Sequence, residues 1–179
     1  MSQRDSGYER KERDLYETPS WVTEAVLPHL PGARLIWEPA CGSGKMADVL
    51  ATQFMIAATD IDKGADFLSP AMPTPPDCDA IVTNPPYEFA TEFIERALRL
   101  MEAVNGSVAM LMRTDFDHAK SRSHLFRDCP AFAKKLVLTK RIMWFEPEPG
   151  AKGKSPSFNH AWFIWDWKHE GAPTLAYGP

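Results

Sequence analysis

The chain has 179 residues, a net charge of −4 and a hydrophobic fraction of 44%, which suits one globular domain and excludes a disordered or fibrous protein. Its longest apolar stretches reach only about five or six residues, whereas a membrane span needs about 18, and its polar start is unlike a signal peptide. Three isolated cysteines, Cys41, Cys78 and Cys129, argue against a disulfide framework and a cysteine metal site, so we expect a cytoplasmic protein that binds no metal.

Hydrophobic spacing and turn residues divide the chain into alternating helices and strands that follow a polar, mobile arm at residues 1–14. The first helix is predicted to have Thr18 as its N-cap and Pro19 as its first residue, and to end before Pro31. Helices are also predicted at 45–53 and 88–104, strands at 34–37, 55–59, 79–83, 107–112, 135–139 and 160–167, and a loop at 63–79 with one short strand near Phe67. Because strands alternate with helices, we expect one α/β domain over residues 15–179, with a mostly parallel sheet covered on both faces.

A glycine-rich turn, Glu38-Pro39-Ala40-Cys41-Gly42-Ser43-Gly44, separates the first predicted strand from the second predicted helix. Glycine lets backbone approach a ligand closely, and the start of a helix offers free N–H groups. Gly42, Gly44 and Ala47 satisfy the G-x-G-x-x-A pattern of dinucleotide-binding turns, and Asp60 follows at the distance expected of a ribose ligand. Taken alone, the turn therefore fits a dinucleotide-binding oxidoreductase.

The carboxylate of Glu38 favours a different ligand. It would repel a pyrophosphate, but it can accept hydrogen bonds from the ammonium group of an amino acid. Asp60 could then bind two ribose hydroxyls, and Asp66 could accept a hydrogen bond from an adenine amino group while Phe67 packs beside the ring. S-adenosylmethionine combines an amino acid, a ribose and an adenine, so we expect it as the cofactor.

A second motif, Asn84-Pro85-Pro86-Tyr87, follows the strand predicted at 79–83, at the carboxyl end where open α/β sheets bind ligands. The prolines fix the backbone and leave carbonyl oxygens available as acceptors. An asparagine oxygen and a rigid carbonyl that share one pocket would receive a planar –NH2 group. The ring of Tyr87 offers a flat surface on which a base can stack.

Together, Glu-Pro-Ala-Cys-Gly-Ser-Gly and Thr-Asn-Pro-Pro-Tyr resemble the motifs of S-adenosylmethionine-dependent amino-methyltransferases, especially compact DNA N6-adenine methyltransferases of phage or prophage type. Tyr16-Glu17-Thr18-Pro19 resembles the opening motif of that family, and the resemblance extends over about residues 16–112. It implies a Rossmann-like class I methyltransferase fold, with a mostly parallel sheet and a C-terminal antiparallel hairpin.

The resemblance also implies a role for each motif residue. The methionine end of the cofactor would be approached by Tyr16, Thr18 and Pro19, and its methionine part would be surrounded by Glu38, Pro39, Ala40, Cys41, Gly42 and Gly44. Asp60 would hold the ribose. Asp66 and Phe67 would hold the adenine. Asn84 and the Pro85 carbonyl would accept hydrogen bonds from the target amine, and Tyr87 would stack on the target base. Two such acceptors favour a tetrahedral nitrogen and aim its lone pair at the methyl group, so no covalent nucleophile is needed. A base in a duplex must first be flipped out, at a cost of about a few kcal/mol.

Two departures from the family pattern affect the sheet and the recognition of the substrate. Only residues 61–65 separate Asp60 from Asp66, so one strand of the family sheet is expected to be short or missing. The 67 residues after Met112 leave no room for a large target-recognition domain. We therefore expect sequence specificity to come from loops, a homodimer or an accessory partner.

The segment from Arg113 to Arg141 holds eight cations and three carboxylates, a local charge of +5 in an acidic chain. Such a run is either a solvated surface or a contact for phosphates. The candidates for phosphate contact are Arg113, Lys120, Arg122 and Arg127, with Lys152 and Lys154 in a later loop. Trp144, Phe145 and Phe158 are candidates for the second face of a base sandwich. The alternating Trp162, Phe163, Trp165 and Trp167 are interpreted as core, and His118, His124 and His160 as ordinary surface or hairpin residues.

The reaction predicted for this site is methylation of the N6 amine of adenine in DNA. Methylation of adenine in RNA, or of a glutamine amide in a protein, would use the same pocket. A dinucleotide-binding oxidoreductase is supported only by Gly42, Gly44, Ala47 and Asp60, and leaves the second motif unexplained. A binding module that keeps the pocket but has no activity also stays open.

Overall fold

A computed structural model of the chain describes residues 16–30, 32–144 and 158–179. The polar arm predicted at 1–14 lies outside these residues. So do three of the proposed substrate contacts, Phe145, Lys152 and Lys154.

Three helices and seven strands make up the described fold. The helices are α1 (Ser20–Val26), α2 (Lys45–Leu50) and α3 (Ala90–Glu102). The strands are β1 (Leu35–Glu38), β2 (Met55–Ala58), β3 (Ala80–Thr83), β4 (Ser107–Arg113), β5 (Phe132–Leu138), β6 (His160–Asp166) and β7 (Thr174–Gly178). Short 3-10 turns include Leu27–His29 after α1, Ile61–Lys63 after β2 and Tyr87–Phe89 before α3.

All seven strands form one sheet in the order β2-β1-β3-β4-β6-β5-β7. Strands β1 to β4 run parallel, β6 runs antiparallel to both β4 and β5, and β7 pairs parallel with β5. The prediction of a mostly parallel sheet with a C-terminal antiparallel pair is therefore confirmed. This topology puts the carboxyl ends of β1, β3 and β4 at the same edge as the amino end of β6, where ligands bind in open α/β sheets.

The sheet separates two apolar layers, as the alternation of side chains along a buried strand requires. On one face, Ile81, Met110 and Phe163 pack with α3, whose apolar side is buried. On the other face, Ile36, Val82 and Trp162 pack with α1 and α2. Helices thus cover both faces, as predicted, and the tryptophans Trp162 and Trp165 are core residues without solvent exposure.

Several element boundaries differ from the predicted ones. Pro19, not Thr18, is the N-cap of α1, and no side chain caps that helix. Helix α3 begins at Ala90 because the prolines before it lead into a separate 3-10 turn. Strand β7 was not predicted, since its residues are mostly exposed at the sheet edge and show no apolar alternation.

The sheet lacks one strand between β2 and β3, as the short spacing of residues 61–65 predicted. Residues 59–79 contain no strand, so β2 forms one edge of the sheet. The short strand predicted near Phe67 is absent, and this prediction was wrong. Phe67 instead lies in an irregular turn with its ring buried against Trp37 and Phe93, and this burial accounts for the apolar residue in an otherwise polar stretch.

Candidate active site

The glycine-rich turn after β1 is tied to the end of β2 by a carboxylate. The backbone N–H of Gly42 donates to Oδ2 of Asp60 at 2.7 Å, and the N–H of Asp62 donates to Oδ1 of the same side chain at 2.9 Å. Gly42 and Gly44 have φ angles of +52° and +99°, which favour glycine because a Cβ is strained there. Asp60 is buried, so the turn and the end of β2 form one rigid corner.

Glu38 is the last residue of β1, and its carboxyl group points into this corner. The side chain is 2% exposed, and its Oε2 has no hydrogen-bond partner among the described residues. Burial, and to a smaller extent the carboxylate of Asp60, raises the pKa of Glu38 to about 8. A buried acceptor without a partner is costly, and a cationic or N–H donor would satisfy it.

Two residues of this corner were missed by the sequence reasoning. Ile61 follows Asp60 directly and is 63% exposed, which is unusual for an isoleucine beside a buried acid. The Nζ of Lys63 lies 3.3 Å from the Sγ of Cys41, so a lysine approaches the wall of the turn. The exposed apolar residue in Asp-Ile-Asp was a readable signal for Ile61, whereas no pattern in the sequence indicated Lys63.

The adenine candidates Asp66 and Phe67 differ in their surroundings. Asp66 is exposed, and its Oδ1 accepts a hydrogen bond from the backbone N–H of Leu68 at 2.9 Å. The ring of Phe67 is only 2% exposed and faces the core. Phe67 therefore supports the loop from beneath, and its ring is not placed at an open surface.

The second motif lies at the carboxyl end of β3, next to the turn after β1 in the sheet order. The Nδ2 of Asn84 donates to the backbone carbonyl of Tyr16 at 3.4 Å, which brings the opening motif to this site. The Oδ1 of Asn84 is buried and has no hydrogen-bond partner among the described residues. Asn84 therefore presents an oxygen acceptor between two rigid stretches of backbone.

Four rings surround the end of this motif. The Tyr87 hydroxyl lies 3.0 Å from Nε2 of His160, and the two rings meet nearly end to end with their centroids 6.3 Å apart. The ring of Trp144 meets His160 edge-on at 5.2 Å, and Tyr16 lies 5.4 Å from Trp144 and 6.5 Å from Tyr87. The described part of the chain thus forms an aromatic wall, which consists of Tyr16, Tyr87, Trp144 and His160.

His160, interpreted as a surface or hairpin residue, does belong to the hairpin of β5 and β6, but it lies buried at the site edge. His160 is 3% exposed and contacts Tyr87, because β6 enters the sheet antiparallel to β4 with its first residue at the site edge. Burial, and next the charge of Arg113, lowers the pKa of His160 to about 4, so its ring is neutral at physiological pH. The sequence predicted an antiparallel hairpin but not that β6 would lie next to β4, and without that position the contact with Tyr87 has no signal.

The basic segment does not act as one surface, since several of its cations are paired with its own carboxylates. Arg113 bonds Asp115 at 2.9 Å, Arg127 bonds Asp128 at 2.8 Å, and Lys135 bonds Asp117 at 2.8 Å. Arg113 pairs with His160 across β4 and β6, and its guanidinium lies 4.0 Å from the centre of the Phe158 ring. Arg113 and Phe158 are therefore brought to the site.

The structure does not bring Lys120 and Arg122 to the aromatic wall. They belong to the 3-10 segment Lys120–Leu125, which packs against α3. Arg122 donates to the Phe116 carbonyl at 2.7 Å, and Lys120 is exposed.

Within residues 16–30, 32–144 and 158–179, no group of three or more His, Cys, Asp and Glu residues is placed to hold a metal ion. None of the helices described is long and apolar enough to cross a membrane.

The order and direction of the strands identify the fold. A parallel sheet that ends in an antiparallel β6 inserted between β4 and β5 is the fold of class I S-adenosylmethionine-dependent methyltransferases, here without one strand at the β2 edge. No protein-family model matches the chain, and no curated protein matches it in sequence.

Solved structures share the fold at low sequence identity. The methyltransferase subunit of a type I restriction-modification system from Streptococcus thermophilus is 13% identical, with a TM-score of 0.58 over 86% of this chain and 45% of that one. A Listeria monocytogenes protein assigned to the class I S-adenosylmethionine-dependent methyltransferases is 13% identical, with a TM-score of 0.55 over 88% and 61%. A precorrin-6y C5,15-methyltransferase from Geobacter metallireducens is 16% identical, with a TM-score of 0.53 over 87% and 91%. The chain thus spans about half of the first of these proteins and three fifths of the second.

Proposed function

We propose that this chain is an S-adenosylmethionine-dependent methyltransferase that acts on the N6 amine of adenine in DNA. The observation that carries the proposal is the Oδ1 of Asn84, a buried acceptor without a partner among the described residues, at the sheet edge beside the ring of Tyr87. An acceptor next to a flat aromatic surface suits an amino group on a planar base.

The residues after β1 and β2 fit the proposed cofactor. The buried Oε2 of Glu38, which has no partner among the described residues, would accept from the ammonium of the methionine part, and Gly42 and Gly44 add no side chains of their own to the turn. Asp60 would hold the ribose, with the exposed Ile61 beside it, and the exposed carboxylate of Asp66 would accept from the adenine amine. Pro39, Ala40 and Cys41 would line the wall, while Tyr16, Thr18 and Pro19 would close the methionine end. When bound, S-adenosylmethionine supplies an electrophilic methyl group on a sulfonium.

The chain's own residues would then prepare the amine. An exocyclic amine is a poor nucleophile because its lone pair is conjugated with the ring. Hydrogen bonds to Oδ1 of Asn84 and to the carbonyl of Pro85 would favour a tetrahedral nitrogen with a localised lone pair. Pro85 and Pro86 hold these acceptors rigid, and Tyr87 would fix the plane of the base, so most of the rate gain would come from orientation.

Features of the same edge favour a nucleic acid over a protein glutamine. The aromatic wall offers stacking, which a base can use on both of its faces and a glutamine amide cannot use to the same extent. Arg113, stacked on Phe158 next to the site, would contact a phosphate. Two of the proteins with this fold belong to restriction systems, which supports DNA over RNA. We expect sequence specificity to come from loops of this domain, a second copy or a partner.

The test is methyl transfer from labelled S-adenosylmethionine to unmethylated DNA, total RNA and a protein extract in parallel, with analysis of the modified nucleosides and amino acids. We expect label in N6-methyladenine from DNA, and its loss in the Asn84→Ala variant with cofactor binding retained. Label only in RNA or only in glutamine would contradict the proposed substrate. Absence of cofactor binding would contradict the proposed function altogether.

A further inference from the structure

His160, the first residue of β6, contacts Tyr87 at the hydroxyl end of its ring. Its Nε2 lies 3.0 Å from the Tyr87 hydroxyl, the ring centroids are 6.3 Å apart, and the two ring planes are inclined by 25°. With the hydroxyl and Nε2 in contact, this centroid distance places the rings nearly end to end, so His160 does not cover the face of Tyr87. A hydrogen bond at the far end of the ring limits its swing in the ring plane.

His160 is itself held by the sheet. It is 3% exposed, it pairs in register with Arg113 of β4, and the ring of Trp144 meets its edge at 5.2 Å. Tyr87, by contrast, lies in a 3-10 turn outside the sheet. The side chain of His160, fixed in a strand, therefore holds the side chain of Tyr87, which lies on a turn. Support from a rigid strand makes the position of a turn residue more precise.

We propose that His160 is a positioning residue that holds Tyr87 in the orientation needed to stack on the target base, and thereby sets the amine of that base against Asn84. The inference rests on the proposed function, since it concerns the same site. His160 acts through the Tyr87 hydroxyl and has no need to touch the substrate. Its loss would therefore lower kcat and leave the affinity for the cofactor unchanged.

A double-mutant cycle between His160→Phe and Tyr87→Phe tests this role. Phenylalanine keeps a flat ring at either position but removes the hydrogen bond between them. We expect each single variant to lower kcat about tenfold, the equivalent of about one hydrogen bond, and the double variant to lower it no further. The His160→Gln variant keeps a polar group within reach of the hydroxyl, so it should recover most of the lost kcat. Ile164→Val, elsewhere on β6, and Tyr177→Phe, on the exposed face of β7, serve as matched controls.

A second measurement is independent of catalysis. Long-range proton–nitrogen NMR spectra of histidine-labelled protein report the ring nitrogens, and the signals of His160 are assigned by their absence in His160→Gln. We expect Tyr87→Phe to shift these signals, and Tyr177→Phe to leave them unchanged. The NMR comparison tests the contact between His160 and Tyr87 even if His160→Phe does not fold.

The possible failures can be told apart. Multiplicative losses of about 100-fold in the double variant, or full kcat in His160→Phe, would overturn the role of His160 and leave the proposed function intact. Unshifted histidine signals in Tyr87→Phe would overturn it too. If the wild-type protein methylates RNA instead of DNA, the proposed substrate is wrong and the cycle is measured on RNA; methylation of glutamine, which has no base to stack on Tyr87, would overturn both proposals. A wild-type protein that transfers no methyl group at all would overturn both proposals.

Discussion

Replacing Glu38 by glutamine should stabilise the protein relative to wild type, and this gain in stability should grow as the pH rises. Glutamine has nearly the shape of the protonated carboxyl group but cannot lose a proton. An ordinary glutamate ionises near pH 4.5, whereas burial raises the pKa of Glu38 in the folded chain to about 8. Between these values the folded state keeps a proton that the unfolded state has lost, so rising pH favours the unfolded state of the wild-type protein.

The size of the effect follows from the same two values. Within this window, each pH unit lowers the free energy of unfolding of the wild-type protein by about 1.4 kcal/mol. Between pH 5 and pH 8 that free energy should therefore fall by about 3 to 4 kcal/mol relative to Glu38→Gln. Urea unfolding of both proteins at the two pH values measures this difference, and groups that titrate alike in both proteins cancel. The exposed Glu92, changed to glutamine, serves as the control and should show no such trend.

A difference between wild-type and Glu38→Gln that stays constant with pH would refute the reasoning, because it would mean that Glu38 ionises alike in both states. The raised pKa of Glu38 also affects cofactor binding. An ammonium group bound beside Glu38 favours its ionised form, so binding of S-adenosylmethionine near pH 7 should release a proton from the protein. Calorimetry in buffers of different ionisation enthalpy measures that release, which Glu38→Gln should abolish.

Three further outcomes are expected from single changes. Asn84→Ala should lower kcat about 100-fold or more and leave cofactor affinity unchanged, as measured by steady-state kinetics and calorimetry. Gly44→Ala should cost about 1 to 2 kcal/mol in urea unfolding, through its φ of +99° alone, since nothing lies within 4 Å of the added Cβ. Lys135→Met should cost about 2 kcal/mol at pH 7, because it leaves the half-buried Asp117 without its ion pair. Equal stability of Lys135→Met at pH 7 would contradict that pairing.

The parts of the site that the sequence predicts are those that follow strands. Glu38 and Asn84 each come directly after a run of apolar residues, and parallel strands bring such positions to one edge whatever the details of packing. The five residues between Asp60 and Asp66 also predicted that the strand after β2 would be short or missing, and it is missing, although the short strand predicted near Phe67 was wrong. Local chemistry and topology agree at these positions, so short motifs suffice.

The parts that could not be predicted depend on tertiary neighbours. Phe67 belongs to the core because Trp37 and Phe93 approach it from other elements. His160 reaches Tyr87 only because β6 inserts antiparallel between β4 and β5. The charge of the basic segment is similarly reduced by Asp115, Asp117 and Asp128, whose pairing requires the fold. The local charge of +5 already allows for these three aspartates, but only the fold shows which cations they pair with.

The salt dependence of DNA binding tests which of those cations contact phosphate. Both arginines form an ion pair with a nearby aspartate, so they differ in position rather than in pairing. Arg113 ends β4 beside the aromatic wall and stacks on Phe158, whereas Arg127 follows the segment that packs against α3. Each phosphate contact contributes about 0.9 to the slope of log affinity against log salt concentration. Arg113→Gln should therefore reduce the slope by about 0.9, and Arg127→Gln, which removes the same charge, should leave it unchanged. Equal reductions in both variants would indicate that net charge attracts the DNA, and no change in either would assign the segment to solvated surface.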